Sequence, residues 1–300
     1  MDLLGVNSKM NSTGLATETA TPSAASGQGG RGWIGLAAVM GLIGLIYART
    51  IANLFDDWWN EPSLSQGLLI PPLAVYFAWL DRKSVLAAPK ASSMRGLWVV
   101  LAGCCVYLLG KLSAEFFLQR ISMIFVLAGV IWAWWGRATL ARLSFPLILL
   151  ATMIPLPAIV YNTATAPLQL LASDVATRIA QMFQVSVYRD GNIIQLAHIS
   201  LGVDEACSGL NSLSALLVAA VLLGRFLCER LPARLLLVAL SVPVSIGANV
   251  IRVSGTAILA DFDERFALGF YHLFGGWLVF VVGFSAFAGL AKLLHKVLES

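Results

Sequence analysis

Apolar residues run through this chain in long blocks, separated by short polar stretches rich in Arg, Lys, Gly and Pro. A helix needs roughly 20 mostly apolar residues to cross the hydrocarbon of a bilayer. Eight blocks meet or approach that length. They predict helices over about 33–51, 66–80, 97–113, 120–136, 143–160, 208–224, 234–254 and 272–292, the second and third short. Pro71–Pro72 in the second block, and Pro146, Pro155 and Pro157 in the fifth, predict kinks or broken ends, because proline removes a backbone donor and crowds the preceding turn. The expected fold class is an all-α polytopic membrane protein.

Two segments depart from that pattern. Between the fifth and sixth blocks, residues 161–207 form the longest connection. Within it Leu168, Leu171, Val175, Ile179 and Met182 recur at three- to four-residue spacing, opposite Asp174, Thr177, Arg178 and Gln181. That period predicts an amphipathic helix lying on the membrane surface or capping the bundle. The following VSVYRDGNIIQL has Asp190–Gly191 between β-rich arms, the signature of a small hairpin. At the other extreme, residues 1–30 are rich in Ser, Thr, Ala and Gly and lack a continuous apolar core. They are expected to be a disordered tail before one transmembrane domain, 31–300, and not a cleaved signal peptide.

Composition agrees with the pattern. Of 300 residues, 58% are hydrophobic and 12% charged, and mean hydropathy is +0.81. Soluble domains carry roughly 25% charged residues. The net charge of +4 is small for this length and fits loops facing anionic lipid better than a nucleic-acid surface.

The basic residues orient the bundle. With the N-terminus inside, 13 of the 20 Lys and Arg fall in the tail and cytoplasmic connections, and 7 fall outside. The excess places both termini in the cytoplasm. The same count puts the starts of the sixth and eighth helices and the end of the seventh on the outer face. Each carries one reactive side chain there: Cys207 in DEACSGLNSL, Arg252 in GANVIRV and His272 in YHLFGGW. A nucleophile, a fixed cation and a titratable base are costly near hydrocarbon, so their shared depth points to chemistry.

Singly, each has a plainer explanation. A cysteine packs, an interfacial arginine snorkels, and a histidine satisfies one hydrogen bond. Cys104 and Cys105 fall mid-helix and Cys228 in a cytoplasmic connection, so Cys207 is the lone outward thiol in an oxidising compartment. A helix start and a nearby cation favour thiolate, while Asp204 and Glu205 oppose it. Ser208 and Asn211 are candidate oxyanion donors, and Asn249 adds a polar group one turn before Arg252. His198 and His295 are expected to be uninvolved. No metal spacing, phosphate loop or dinucleotide fingerprint is present, so no cofactor is expected.

Taken together, these motifs resemble the exosortase/archaeosortase family of multi-pass membrane cysteine transpeptidases. The resemblance rests on SLSQGLLIPPLAVYFAWLDRK at 63–83, YRDGNIIQL at 188–196, VDEACSGLNSL at 203–213, NVIR at 249–252 and YHLFGGW at 271–277. It implies that Cys207, Arg252 and His272 form the catalytic set; from the residues themselves, Glu205, Ser208, Asn211 and Asn249 are expected to bind substrate or support that set. Two departures stand out: Gln66 precedes Gly67 where the family often has His, and Ala197 replaces a common proline.

The resemblance further implies a bacterial inner-membrane enzyme with its active site on the periplasmic face. Its substrates would be membrane-anchored proteins ending in a Pro-Glu-Pro motif, an apolar helix and a basic tail, in organisms that make exopolysaccharide. The enzyme would cut near the motif through a Cys207 acyl-enzyme and pass the new C-terminus to an unidentified acceptor. A non-proteolytic transferase or assembly factor for exopolysaccharide is the alternative. A transporter fits less well, since the polar groups gather at one face and not at the midplane.

Overall fold

The computed structural model describes residues 28–203 and 210–298. The chain divides into two compact units, Met1–Tyr47 and Ala48–Ser300. Helix α1 (Gln28–Asn60) is followed by a 3₁₀ turn (Ser65–Leu69), α2 (Ile70–Leu80), α3 (Arg82–Ala87), α4 (Met94–Leu112), α5 (Phe116–Trp135), α6 (Arg137–Arg142) and α7 (Ser144–Ala151). Then come α8 (Ala158–Met182), three strands β1 (Tyr188–Asp190), β2 (Ile193–Gln195) and β3 (Ser200–Gly202), α9 (Leu210–Leu227), α10 (Leu231–Phe262), a second 3₁₀ turn (Glu264–Ala267) and α11 (Gly269–Leu298).

This is a polytopic helical membrane protein with one small sheet. Among the described residues, five helical segments are long and apolar enough to span: Ile34–Asn60, Met94–Leu112, Phe116–Trp135, Leu231–Phe262 and Leu273–Leu298. Ser65–Leu80 and Ser212–Leu227 are apolar but shorter. The expected fifth span does not form as one helix. Helix α7 stops at Ala151, and α8 begins only after Pro157, its N-cap. Pro155 and Pro157 withhold backbone donors and disfavour helical geometry in the residues before them. Pro71 and Pro72, by contrast, sit in the first turn of α2, where missing donors cost nothing. The expected tail lies outside the described residues except for 28–30, which begin α1.

Glycines decide the closest helix pair. Gly96, Gly103 and Gly110 follow one another at seven-residue intervals, so they form one stripe along α4. A Cβ at Gly103 would come within 3.0 Å of Val126 N, one at Gly110 within 2.8 Å of Gln119 N, and one at Gly96 would collide with the Ala133 backbone. From the other side, a Cβ at Gly129 would lie 2.6 Å from Val100 N. Lipid is as apolar as leucine, so helices associate in it through close packing at small residues. Cys104 and Cys105 lie off this stripe and are exposed, so they are not the packing residues expected from the sequence.

Helix α8 uses the same device. Its buried positions are Thr165, Ala172, Ser173, Ala176, Thr177 and Ala180, the small residues and not the leucine stripe. Ala172 and Ala176 pack with Val253 of α10, and Ala180 with Ala257. Leu171 (43% exposed) and Met182 (81%) point away. The amphipathic helix therefore exists, but its larger apolar face does not cap the bundle. The sheet rides on α8: Ser173 Oγ donates to Gly191 O at 3.1 Å, and Gln181 Nε2 donates to Val187 O at 3.3 Å. Its strands form an antiparallel meander in the order β1-β2-β3. Asp190 pairs with Ile193, so the turn is Gly191–Asn192, one residue later than the sequence suggests. Gly191 takes φ +61°, as the first central residue of a type II′ turn must. The third strand was not legible in the sequence.

A second core joins Trp58, Ile70, Phe77, Leu149, Met153 and Ile154. Trp58 Nε1 donates to Met153 O at 3.2 Å, across the gap left by the broken fifth span. Its indole lies against Gly67, where any side chain would collide with the ring. Asp57 accepts from the buried Arg120, tying the end of α1 to α5.

Because the Gly129 contact is with backbone, no rotamer change relieves it. Gly129→Leu is expected to cost about 1–3 kcal/mol or more. Gly289 has open space around it, so Gly289→Leu should be close to neutral. Thermal midpoints of the two variants in detergent test this, and equal midpoints would contradict the close α4–α5 packing.

Candidate active site

Helix α10 carries the described part of the site. It runs ten residues past Arg252 to Phe262, so Arg252 is not in its last turn as the hydropathy pattern suggests. The extension has a physical cause: Ala257, beyond Arg252, packs on the small stripe of α8, and that contact keeps this end helical. Asn249 is 4% exposed, and Arg252 is half-buried one turn later. Asn249 Oδ1 and Arg252 Nε are both sealed from solvent.

The arginine rests on a glycine of α11. A Cβ at Gly276 would lie 3.6 Å from both Arg252 Cδ and Nη1. Gly283, two turns on, meets Ala248 Cβ, whereas Gly275 faces open space. Close approach thus runs along Gly276 and Gly283 and not the adjacent glycine pair. His272 lies in the first turn of α11, one turn before Gly276 on the same helix face. Its side chain is outside the described residues, as is that of Asn211 in the first turn of α9. Glu205, Cys207 and Ser208 lie outside the described residues altogether.

Three cavities meet around this region. The largest, about 300 Å³, is walled by β3 and its flanks (Ile199–Val203), by Arg252, Val253 and Thr256 of α10, and by Ala267 and Leu268. A narrow one of about 10 Å³ lies among Ser212, Asn249, Arg252, Gly276 and Phe280. A third, about 220 Å³, lies between Ser63, Ser65, Gln66, Ser212 and Phe280. Arg252 thus borders the first two cavities, and Ser212 the last two. Cys207 stands in the connection between these walls, four residues after Val203 and five before Ser212.

The second 3₁₀ turn shapes one rim of the largest cavity. Asp263 caps it by accepting from Arg265 N at 2.9 Å. That backbone donor, with the Arg265 charge beside it, holds the Asp263 carboxyl below its ordinary range. Sequence reasoning missed Ser212, Thr256 and the wall around Gln66. Two of them left a signal: Ser212 is a hydroxyl within the DEACSGLNSL motif, and Gln66 stands where the resembling family often has His. Among the described residues, no three His, Cys, Asp or Glu side chains gather as metal ligands would.

The sequence profile described as transmembrane exosortase matches residues 58–289. The chain belongs to this family. Exosortases are in general membrane cysteine transpeptidases that act in protein sorting, and the matched region holds all the cavity walls described above. A separate similarity links 89 residues, at 33% identity, to Competence protein ComA of Neisseria gonorrhoeae. It covers 26% of this chain and only 13% of that protein, too little to carry function across. No solved structure matches the chain.

The contact of Gly276 with Arg252 makes a size-graded prediction. A methyl fits at 3.6 Å, so Gly276→Ala should leave the thermal midpoint unchanged. Gly276→Leu should displace the guanidinium and cost about 1–3 kcal/mol. Adding Arg252→Ala should recover part of that loss, since residues in contact are not additive. Strict additivity in this double-mutant cycle would argue against the contact.

Proposed function

We propose that this exosortase-family protein is a cysteine protease or transpeptidase of the bacterial inner membrane, acting at the periplasmic face. Its substrates are exported proteins held by a C-terminal Pro-Glu-Pro motif, apolar helix and basic tail. The observation that carries the reading is the seating of Arg252 against Gly276, one turn from His272, with Ser212 of the Cys207 segment on the same cavity wall. Ser212 belongs to the cysteine motif and Gly276 to the histidine motif, so members of all three motifs border one cavity, which supports the reading.

In this mechanism the Cys207 thiolate attacks the scissile carbonyl carbon. The resulting oxyanion draws on Arg252 and on donors from Ser208 and Asn211. His272 gives a proton to the departing amine as the carbon–nitrogen bond breaks, which leaves an acyl-enzyme. An acceptor nucleophile, or water, then loses its proton to His272 and attacks the thioester, freeing the thiolate. Asn249 orients Arg252, and Glu205, two residues before the nucleophile in sequence, engages substrate. A substrate tethered by its own helix arrives already confined to the correct depth, which lowers the entropic cost of positioning the bond.

The test is co-expression with a tagged reporter ending in that tripartite signal, comparing variants at matched membrane levels. Native protein should remove the basic tail, and Cys207→Ala should abolish removal. Arg252→Lys, which keeps charge but loses the planar fork, should slow it about 10²-fold. Reporters that stay intact with native protein, across several signals, would overturn the reading and leave a non-proteolytic role in exopolysaccharide assembly.

A further inference from the structure

The largest cavity has a wall that the mechanism above does not use. Among the described residues, strand β3 pairs with β2 on one side only and is one of the two edges of the sheet. Its ladder fixes which backbone groups face where. Val203 N donates to Asn192 O at 2.9 Å, and Leu196 N donates to Ile199 O at 2.9 Å. Ile194 stands opposite Leu201 between them. Residues 199, 201 and 203 therefore turn their N–H and C=O toward β2. In antiparallel pairing the alternate residues turn theirs outward. Ser200 and Gly202 thus present donors and acceptors away from the sheet, on the strand that walls the cavity.

An unpaired edge invites another strand, and proteins normally cover or blunt it. Here the edge opens onto about 300 Å³ of space, the low end of the range for ligand sites. Arg252 and the hydroxyl-bearing Thr256 stand across from it. Gly202, without a side chain, lets an incoming backbone come close. The edge also leads straight into the Cys207 segment.

We infer that β3 is the peptide-docking edge of this site. An extended substrate segment adds to it as a fourth strand, and Arg252 pairs with an acidic side chain of that segment. The occupant is a peptide and not a sugar or lipid, because the wall offers backbone groups at strand spacing and one cation. Such pairing draws affinity from the main chain and specificity from alternate side chains. The inference deepens the transpeptidase reading and rests on it for the substrate's identity, but docking is testable without turnover.

Proline at Ser200 or Gly202 removes only an outward N–H, which an edge strand tolerates. At matched membrane levels, Ser200→Pro and Gly202→Pro should each slow reporter processing roughly fivefold or more, the loss of one hydrogen bond worth about 1 kcal/mol. Leu201→Pro breaks the ladder itself and should instead lower accumulation. For binding alone, Ser200→Cys in a Cys207→Ala background is oxidised against reporters carrying one cysteine at successive positions around the motif. Crosslinking at every second position is the expected strand signature, and replacing the motif's glutamate with glutamine should weaken it severalfold. Processing at the native rate in both proline variants would overturn the inference and leave the transpeptidase reading standing. A reporter that the native protein leaves uncut, but that crosslinks with period two in the Cys207→Ala background, would sink the transpeptidase reading and keep the docking edge. Crosslinking that is absent or lacks that period overturns the edge.

Discussion

Close approach of helix backbones at small residues is the constraint on which this molecule depends. In water, large apolar side chains drive helices together, but in hydrocarbon they gain little by leaving lipid for protein. What remains is packing at short range, possible only where side chains are missing or small. Gly96, Gly103, Gly110 and Gly129 bring α4 and α5 together, Ala172, Ala176 and Ala180 seat α8, and Gly276 and Gly283 admit α10 to α11. The third of these contacts bears on chemistry. Gly283, where a Cβ would come within 3.2 Å of Ala248 Cβ, brings the two helices together, and the small residue at 276 leaves the Arg252 guanidinium its place beside α11.

The site is consequently built at the margins of packed elements. Its described walls come from a 3₁₀ turn, a strand edge, two helix faces and a loop, and each is held by a contact lying some distance away. Trp58 covers Gly67 and thereby fixes the turn that carries Gln66. Ser173 and Gln181 of α8 hold the sheet whose free edge faces Arg252. Loops and edges can change register or length with little cost to a packed core, which is why binding sites are commonly built there.

Much of this was legible in the sequence, for a reason that also explains the gaps. Hydropathy reports how much apolar surface a segment offers, so it found α4, α5, α10 and α11 and the polar groups near their ends. It does not report which face packs. Leu168, Leu171 and Val175 read as the apolar face of a helix on the membrane surface or capping the bundle, but the residues that bury are Ala172, Ser173 and Ala176, which hydropathy barely registers. The glycine heptad of α4 was visible as spacing and went unread, since glycine is more familiar as a breaker than as a contact. Proline gave fair warning at 155 and 157, although hydropathy still counted the segment as one span. Ser200–Gly202 is too short and too polar to announce itself as a strand, and its partner exists only after the hairpin has formed.

Length along the helices supplies a last argument about depth. From Leu231 to Arg252 is 21 residues, about 32 Å of α-helix. From Lys292 back to His272 is 20 residues, about 30 Å. Both match a hydrocarbon thickness of roughly 30 Å, and each distance starts at a basic end, Arg230–Arg234 in one case and Lys292 in the other. If those basic ends lie at the cytoplasmic surface, as the charge asymmetry argues, Arg252 and His272 emerge together at the opposite boundary. The ten residues of α10 beyond Arg252 then extend past the hydrocarbon, where Ala257 meets α8 and the sheet gains its support. One over-long helix can therefore measure the membrane with its first six turns and hold α8 and the sheet with its last three. On that reading of the charge asymmetry, the cation of Arg252 sits at the boundary of the hydrocarbon, where a charged side chain is far less costly than at mid-depth.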